Sequence, residues 1–369
     1  KNMILDSSYE SQLIEEKHFN GILNISKLNV CRVERDAFKW CRNKEIRALN
    51  LGNDSLNLAF RKAHHSLFEP VKEHLLQLTI SDFTFECPLN ILNHLQKLQS
   101  LTVQKCSFND RTKSSKISEE NFVDIKSLKS IDLIDNSSFF YENNIFKRSV
   151  NLETLRLTQS EKKSNTINSH FNAAYFEPFK KLAVLKLSGE KVHLDEKAID
   201  HLDQLNELHL EKVVLRKESL SILSRFTNLE VLELKEVTNL DLSTISEVVS
   251  LKKLQLNMSS VEMRTFQEVH FDLESNYLFN LTNLVNLTHL DLSYNLITQI
   301  SSTMLSNLNQ LIHLNLSHNR LRNIPDDAFD CLVHLEEIDL EGNRLRNVNI
   351  NRLCLKQDKL NVISLDHVL

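Results

Sequence analysis

Two histidines, His289 and His313, stand 24 residues apart (313 − 289), with Asp291 and His318 close to them in the sequence. Two imidazoles held side by side next to a carboxylate can bind a transition metal, or they can change charge between neutral and mildly acidic pH. This spacing imposes neither a tetrahedral ligand set nor a closed shell. We therefore predict no metal site and no cofactor.

Motifs that would indicate catalysis are absent from the sequence. The chain has four glycines, Gly21, Gly52, Gly189 and Gly342, and none lies near another. Neither a dinucleotide-binding loop nor a phosphate-binding loop fits such a sequence. No HExxH, GxSxG or CxxC motif occurs either. We predict that the chain is not an enzyme.

Charged residues at one recurring position are the best candidates for binding. Arg156, Lys186, His209 and Glu233 each occupy the middle of an LxL triplet, and the charge changes sign along this row. A row of mixed sign suits a protein partner better than a polyanion. The net charge of −5 and the pI of about 6.3 also give no basic field for nucleic acid. We predict ligand binding at these four residues and at two polar loops, 105–121 and 160–174, although an ordinary charged surface is the alternative.

A repeated sequence unit positions these residues. In segment 311–340 the apolar residues and one asparagine follow the pattern LxxLxLxxNxLxxLxxxxFxxL, which starts again at Leu335, 24 residues on (335 − 311). The triplet pattern LxxLxL begins at fourteen places, namely Ile25, Ile46, Leu75, Leu98, Leu128, Leu152, Leu182, Leu205, Leu229, Leu251, Leu287, Leu311, Leu335 and Leu360. This is the pattern of a leucine-rich repeat, whose stacked units bury one continuous core.

The pattern predicts an α/β-type solenoid. We expect a curved right-handed coil with a parallel sheet of about 14 strands on its concave side and mostly loops and 3₁₀ turns on its convex side. Residues 1–24 carry no full repeat and are predicted to be an N-terminal cap, with the solenoid over residues 25–369. The long unit 251–287 contains either a short helix or an additional repeat. No run of about 18 apolar residues occurs, so we expect no membrane contact by this segment.

An asparagine recurs at one buried position of the last full repeats, as Asn295, Asn319 and Asn343. Its side-chain amide is expected to bond the backbone turns of neighbouring repeats. Central repeats hold Glu190, Val213, Val237 and Ser259 at this position. We therefore expect the central repeats to be less regular.

The six cysteines suggest three disulfide bridges. Cys331 and Cys354 occupy nearly the same phase of successive repeats, which brings two Cα atoms within bridging distance when strands stack. Cys31 and Cys41 flank the first turn and suit a terminal cap. Cys87 is a partner for Cys106, for which a buried thiol is the alternative.

Seven asparagines lie in N-glycosylation sequons. Asn136 falls on the buried asparagine position and is not expected to carry sugar. The other six are candidate glycosylation sites, namely Asn24, Asn53, Asn257, Asn280, Asn286 and Asn315. A glycan on Asn315 would deny part of the concave face to a flat partner.

The segment HLNLSHNRLRNIPDDAFDCLVHLEEIDLEGNRL resembles the 24-residue repeat of extracellular leucine-rich proteins. Toll-type receptor ectodomains and the secreted leucine-rich immune proteins of insects are built from this repeat. The resemblance implies a curved solenoid that recognises protein or microbial ligands, often as a homo- or heterodimer. The cysteine-rich C-terminal cap usual in the family is not seen. We expect a cap, a coiled coil or a membrane anchor to follow residue 369.

These observations predict a non-catalytic, extracellular recognition or scaffold protein of innate immunity, either secreted or the ectodomain of a membrane protein. Two alternatives stay open. An intracellular leucine-rich adaptor or enzyme inhibitor would keep its cysteines reduced and its sequons unused. A cell-surface adhesion protein shares the extracellular compartment and differs only in what it binds.

Overall fold

The computed structural model divides into two compact units, residues 1–191 and 192–369. By residue number it describes 3–5, 21–25, 30–33, 38–42, 45–52, 58–60, 67–85, 89–108, 122–137, 139–142, 144–160, 169–195, 197–215, 223, 225–238, 242–257, 281–346 and 359–365. None of the helices in these ranges is long and apolar enough to cross a membrane.

The first unit is built from short parallel strands. In chain order they are β1 Met3–Leu5, β2 Ile22–Asn24, β3 Val30–Val33, β4 Ala48–Leu51, β5 Leu58–Phe60, β6 Gln77–Ser81, β7 Phe83–Phe85, β8 Ser100–Gln104, β9 Ser107–Phe108, β10 Ser130–Ile134, β11 Thr154–Thr158, β12 Ser169–Phe171 and β13 Val184–Leu194. Strands β2, β4, β6, β8, β10, β11 and β13 pair in this order, and β12 pairs with β13. This is the parallel sheet that the LxxLxL pattern predicts.

Strand alternation explains why the pattern forms this sheet. In β8, Leu101 and Val103 are buried, while Ser100, Thr102 and Gln104 face outward. Successive side chains of a strand point to opposite faces, so an LxL triplet places two leucines in the core and one polar residue on the surface. Each repeat adds one such strand to the same apolar core.

A second parallel sheet was not predicted. It consists of β1, β3, β5, β7 and β9. Asp82, at φ 61°, is the single residue between β6 and β7, so the chain turns sharply from one sheet into the other. Phe83 and Phe85 of β7 are buried, and Thr84 shares a 2.9 Å hydrogen bond with Ser107. The prediction that the side opposite the first sheet is mostly loops and 3₁₀ turns is therefore incomplete in this unit.

The predicted first strand is wrong. The LxxLxL match at Ile25 predicts a strand from that residue, whereas the first strand of the long sheet is β2, Ile22–Asn24. It pairs in register with β4, so that Leu23 lies opposite Leu49. The two buried apolar residues at strand β2 are therefore Leu23 and Ile25. The residues before them do not follow the leucine pattern. Every predicted strand from Ile46 onward is confirmed.

The second unit forms a parallel ladder in simple sequence order. Its strands are β14 Glu207–Leu215, β15 Val231–Lys235, β16 Lys253–Asn257, β17 His289–Asp291, β18 His313–Asn315, β19 Glu337–Asp339 and β20 Val362–Ser364. Strand β16 pairs directly with β17, with Lys253 opposite His289. In this sheet β17 therefore follows β16 directly, while residues 258–280, where the predicted short helix or additional repeat of the long unit 251–287 would lie, are outside the described residues.

Helices are short and lie between the strands. Among the described residues, three are α-helices, α1 Phe139–Glu142, α2 Ala173–Phe176 and α3 Ser302–Leu305, and three are 3₁₀ helices, Lys39–Cys41, Leu89–His94 and Leu242–Glu247. Polar side chains cap two of the α-helices. Asn172 Oδ1 accepts from the Tyr175 N–H at 3.2 Å, and Ser301 Oγ accepts from the Met304 N–H at 3.4 Å.

The asparagine position behaves as predicted in the described repeats. Asn319 is 5% exposed, and its Nδ2 donates to the carbonyls of Leu292 at 2.8 Å and Leu316 at 3.0 Å. Its Oδ1 accepts from the Ile297 N–H at 3.1 Å. One side chain thus bonds the turns of two consecutive repeats, and Asn136 does the same in the first unit.

The residue before this position has a left-handed backbone in repeat after repeat. Tyr294 and His318 lie at φ 55° and 53°, and Gly342 takes the same place at φ 69°. A side chain raises the energy of this conformation by about 1 kcal/mol, whereas glycine adopts it without strain. The backbone conformation of this turn is therefore the same in successive repeats, although different residue types occupy it.

Candidate binding surface

The exposed face of the sheet in the second unit presents two rows of mostly polar residues. The central row, one residue per strand, is His209, Glu233, Gln255, Asp291, Asn315, Asp339 and Ser364. The outer row, two residues earlier in each strand from β14 to β19, is Glu207, Val231, Lys253, His289, His313 and Glu337. Parallel in-register pairing stacks these side chains at the strand spacing of about 4.8 Å.

Glu233 is the centre of an ionic network across three strands. Its Oε2 lies 2.8 Å from His209 Nδ1, and its Oε1 accepts from Lys253 Nζ at 2.6 Å. His209 Nε2 lies 3.3 Å from Glu207 Oε2, so both ring nitrogens face carboxylates. The hydrogen bond from His209, assisted by Lys253, lowers the pKa of Glu233 to about 2 against the opposing effect of burial.

The later residues of the central row are held by their own strand ends. Asp291 and Asn315 each accept at Oδ1 from the backbone N–H two residues on, both at 2.9 Å. Asp339 does the same at 3.0 Å. Aspartate and asparagine form such local bonds readily, which fixes their side chains relative to the sheet. Gln255 Nε2 adds a cross-strand bond to Asp291 Oδ2 at 2.9 Å.

His289 and His313 stack face to face in the outer row. Their ring centroids are 4.3 Å apart and their planes are inclined by 25°. His289 Nδ1 contacts Thr288 Oγ1, and His313 Nδ1 contacts Glu337 Oε2, both at 2.9 Å. Burial lowers the pKa of His289, and the charges of His313 and Lys253 add to this, while Glu337 opposes it.

A shallow cavity of about 340 Å³ opens over strands β16 to β20. Both histidines of the stacked pair line it. The other polar lining residues are Lys253, Asp291, Asn315, Glu337, Asp339 and Ser364. Rigid strands hold every one of these side chains, so the cavity is preformed on a supported surface.

The four predicted binding residues fall into two separate sets. Arg156 and Lys186 lie in adjacent register in the first unit, next to Asp132. Burial raises the pKa of Asp132, and the two cations oppose this rise. In the second unit, His209 and Glu233 are directly bonded. Most of the two predicted loops, residues 109–121 and 161–168, lies outside the described residues.

Sequence reasoning missed Glu337 as a member of this surface. The signal that could have found it is its position in the strand, because it stands two residues before the central-row residue Asp339 and so shares its face. The pairing of His289 with His313 was anticipated. Across the described ranges, no group of three His, Cys, Asp or Glu residues is arranged to hold a metal ion.

The candidate modification sites differ in their surroundings. Asn257 Nδ2, the atom that would carry sugar, donates to the Ser293 carbonyl at 2.7 Å. Asn286 is exposed and its Nδ2 bonds the Val249 carbonyl, while Asn315 lies in the central row. Asn24 lies in β2. Asn53 and Asn280 lie outside the described residues, so glycosylation stays a prediction at all six sites.

The cysteine pairings also stay predictions. Cys331 has a free thiol whose Sγ donates to the Leu305 carbonyl at 3.1 Å, while Cys354 lies outside the described residues. Cys41 is buried, and its proposed partner Cys31 belongs to β3. Cys106 is buried with its Sγ 3.2 Å from the Gln104 carbonyl, whereas Cys87 lies outside the described residues.

A sequence profile of the leucine rich repeat family matches residues 280–345. These repeats are leucine-rich repeats. Parallel strands with the LxxLxL pattern recur in each of the two compact units, so the fold is that of a leucine-rich repeat solenoid. No curated protein sequence is significantly similar to the whole chain.

Solved structures confirm the fold and its resemblance to Toll-type ectodomains. The chain aligns with Drosophila Toll from a Toll–Spatzle complex at a TM-score of 0.59 and 18% identity, over 92% of this chain and 46% of Toll. An internalin of Listeria monocytogenes gives 0.56 and 17%, over 94% and 87% of the two chains. TLR13 from a complex with single-stranded RNA gives 0.56 and 18%, over 91% and 52%. This chain thus spans about half the length of the Toll and TLR13 chains.

Proposed function

We propose that this leucine-rich repeat chain is a non-catalytic recognition protein that binds a protein partner through the exposed sheet face of its second unit. One observation carries the proposal. The charged and polar side chains of β14 to β19 are locked in place by hydrogen bonds to strands and turns, as in the His209–Glu233–Lys253 network. A rigid, polar, mixed-charge surface pays little conformational entropy when a folded partner docks.

The finer proposal is an extracellular protein of innate immunity, secreted or part of a membrane protein, that takes protein or microbial ligands and acts as a homo- or heterodimer. The six candidate sequons and the fold shared with Toll support it.

One observation favours a second candidate, an intracellular adaptor or enzyme inhibitor. The Cys331 thiol donates a hydrogen bond to the Leu305 carbonyl, so its reduced form is accommodated in the structure.

Screening for a partner tests the proposed function. The chain, secreted as a dimeric fusion, is applied to an array of extracellular proteins and cytosolic enzymes, and each hit is measured again with surface variants. Asp339→Lys changes the central row of the second unit, whereas Arg156→Glu with Lys186→Glu changes the predicted row of the first. Lys97→Glu, at an exposed turn where Lys97 lies 3.6 Å from Glu73, is the matched control.

We expect a specific partner whose affinity falls at least tenfold with Asp339→Lys and is unchanged with Lys97→Glu. If Arg156→Glu and Lys186→Glu also weaken binding, the surface extends to the predicted row of the first unit. A partner that is insensitive to every sheet-face variant would contradict the proposed binding surface. Partners found only among cytosolic enzymes would favour the intracellular candidate.

A further inference from the structure

We infer that the cavity over β16 to β20 docks an arginine side chain of the protein partner, and that protonation of the His289–His313 pair releases it. This inference rests on the proposed function and names the chemistry of the partner. It combines three observations: a preformed cavity, an excess of carboxylates around it, and a stacked pair of titratable rings in its wall.

The size of the cavity suits one side chain. At about 340 Å³ it lies at the lower end of the range for ligand sites, roughly 300–1,000 Å³. Sheet residues of successive strands form its floor, so a partner must approach from the exposed face and insert a projecting group. A planar guanidinium fits such a place better than a bulky ligand, because it can stack on a ring and fork onto a carboxylate.

The charges around the cavity favour a cation. Asp291, Glu337 and Asp339 contribute three carboxylates. Lys253 is the single lysine of the lining, and its ammonium is already bonded to Glu233 at 2.6 Å. With both imidazoles neutral, the lining has a formal charge of −2, since three negative groups face one positive group. A partner that presents a positive charge is therefore complementary to this surface.

Some carboxylate oxygens remain available to a ligand. Asp339 uses Oδ1 to accept from the Glu341 N–H, and Glu337 uses Oε2 against His313. Within the described part of the chain, the second oxygen of each carboxylate has no hydrogen-bond partner. These two atoms belong to residues two positions apart on the same face of strand β19, in the outer and central rows. They supply the acceptors that a guanidinium fork needs.

The histidine pair makes this site sensitive to pH. Protonation of His289 and His313 adds two positive charges and raises the formal charge of the lining from −2 to zero. The charged groups that face the pair are Lys253 of β16, Asp291 of β17 and Glu337 and Asp339 of β19, with Glu233 of β15 reaching it through Lys253. Two imidazolium rings with centroids 4.3 Å apart also repel each other, which disfavours the stacked geometry.

The alternative to an arginine is an acidic ligand in the same cavity. It would have to displace or outweigh three carboxylates, and it would gain affinity only after both histidines are protonated. A glycan on Asn315 would also fill this cavity, because Asn315 lies in the lining. Arginine docking and full glycosylation of Asn315 are therefore mutually exclusive.

Peptide titration monitored by NMR tests the inference without the natural partner. The probes are acetyl-Gly-Gly-Arg-Gly-Gly-amide and its glutamate and glutamine counterparts. The imidazole Cε1–H resonances of the pair, assigned with His289→Gln and His313→Gln, are followed at pH 7.5 and 5.5. We expect the arginine peptide to shift both resonances at pH 7.5 and to bind at least tenfold more weakly at pH 5.5.

Two variants separate a docking site from non-specific attraction. Asp339→Asn should weaken arginine-peptide binding at pH 7.5 about tenfold, equivalent to one pairing interaction. Asp327→Asn removes the same charge from an exposed position in the preceding repeat and should leave the affinity unchanged. The double variant His289→Gln, His313→Gln should bind the arginine peptide equally at both pH values.

The inference would be overturned by shifts with the glutamate peptide but not the arginine peptide, by equal loss of binding with Asp339→Asn and Asp327→Asn, or by full glycan occupancy at Asn315 in the secreted protein. If the peptides fail while the array partner still responds to Asp339→Lys, docking of arginine is wrong and the proposed function stands. If the arginine peptide binds but no protein partner is found, the proposed function fails instead.

Discussion

His209 and Glu233 are joined across neighbouring strands by a 2.8 Å contact between Nδ1 and Oε2. Lys253 approaches the same carboxylate from the other side, so three consecutive repeats share one half-buried charge network. The lowered pKa of Glu233, about 2, makes this network a source of stability that depends on pH.

We expect Glu233→Gln to lower the free energy of unfolding by about 1–3 kcal/mol at pH 7. The folded pKa lies below the usual value of 4.5, so the carboxylate contributes its full stability above pH 4.5. That contribution is lost as the pH falls from 4.5 towards 2, and the variant should approach the parent protein at pH 3. Urea denaturation followed by circular dichroism at both pH values measures this difference. Glu230→Gln, which breaks a more exposed pair with Lys252, should cost less than 1 kcal/mol, and an equal loss would contradict the assignment.

We expect Asn319→Ala to destabilise the second unit by about 2–4 kcal/mol, because backbone groups of two repeats lose their partners in a buried place. The control is Asn307→Ala, whose exposed side chain makes one bond to the Thr282 carbonyl at 2.9 Å. Urea denaturation of both variants measures the difference. Comparable losses in the two proteins would show that the buried asparagine does not link the repeats.

We expect Gly342→Ala to be destabilising by about 1–3 kcal/mol, for two separable reasons. A side chain at φ 69° is strained, and its Cβ would overlap the imidazole of His318, which stacks on Tyr294 at 4.4 Å. Adding His318→Ala should recover the part due to overlap and leave the part due to backbone strain. A double-mutant cycle measured by urea denaturation reports the coupling. Strict additivity of the two substitutions would disprove the contact.

A peptide mass map of the secreted protein, run with and without reduction, tests compartment and modification together. We expect a Cys331–Cys354 bridge and sugar on exposed Asn286, but none on Asn136, which is 4% exposed and bonded at both ends of its amide. The Asn136→Gln variant is the control, because it should give the same set of glycopeptides as the parent protein. Free thiols with bare sequons after passage through the secretory route would instead support the intracellular candidate.

Several features could be predicted because each repeat places the same residue types at the same buried positions. Leucines at fixed positions specify strand after strand, and Asn295, Asn319 and Asn343 specify the turns between them. The first strand was misplaced because the residues around Ile22–Asn24 follow the alternation but not the leucine pattern. The second sheet was missed because its strands are two to four residues long and carry no LxL triplet.

The sequence by itself determined the repeat, the parallel register and the polar character of the central row, because these follow from which side chains must be buried. Only the tertiary structure decided which polar groups meet. Lys253 and His289 are 36 residues apart (289 − 253), yet they are neighbours in the outer row, since parallel pairing depends on strand register and not on the length of the connection. The stacking of His289 on His313 and the approach of Lys253 to Glu233 depend likewise on side-chain directions across strands, which spacing alone leaves open.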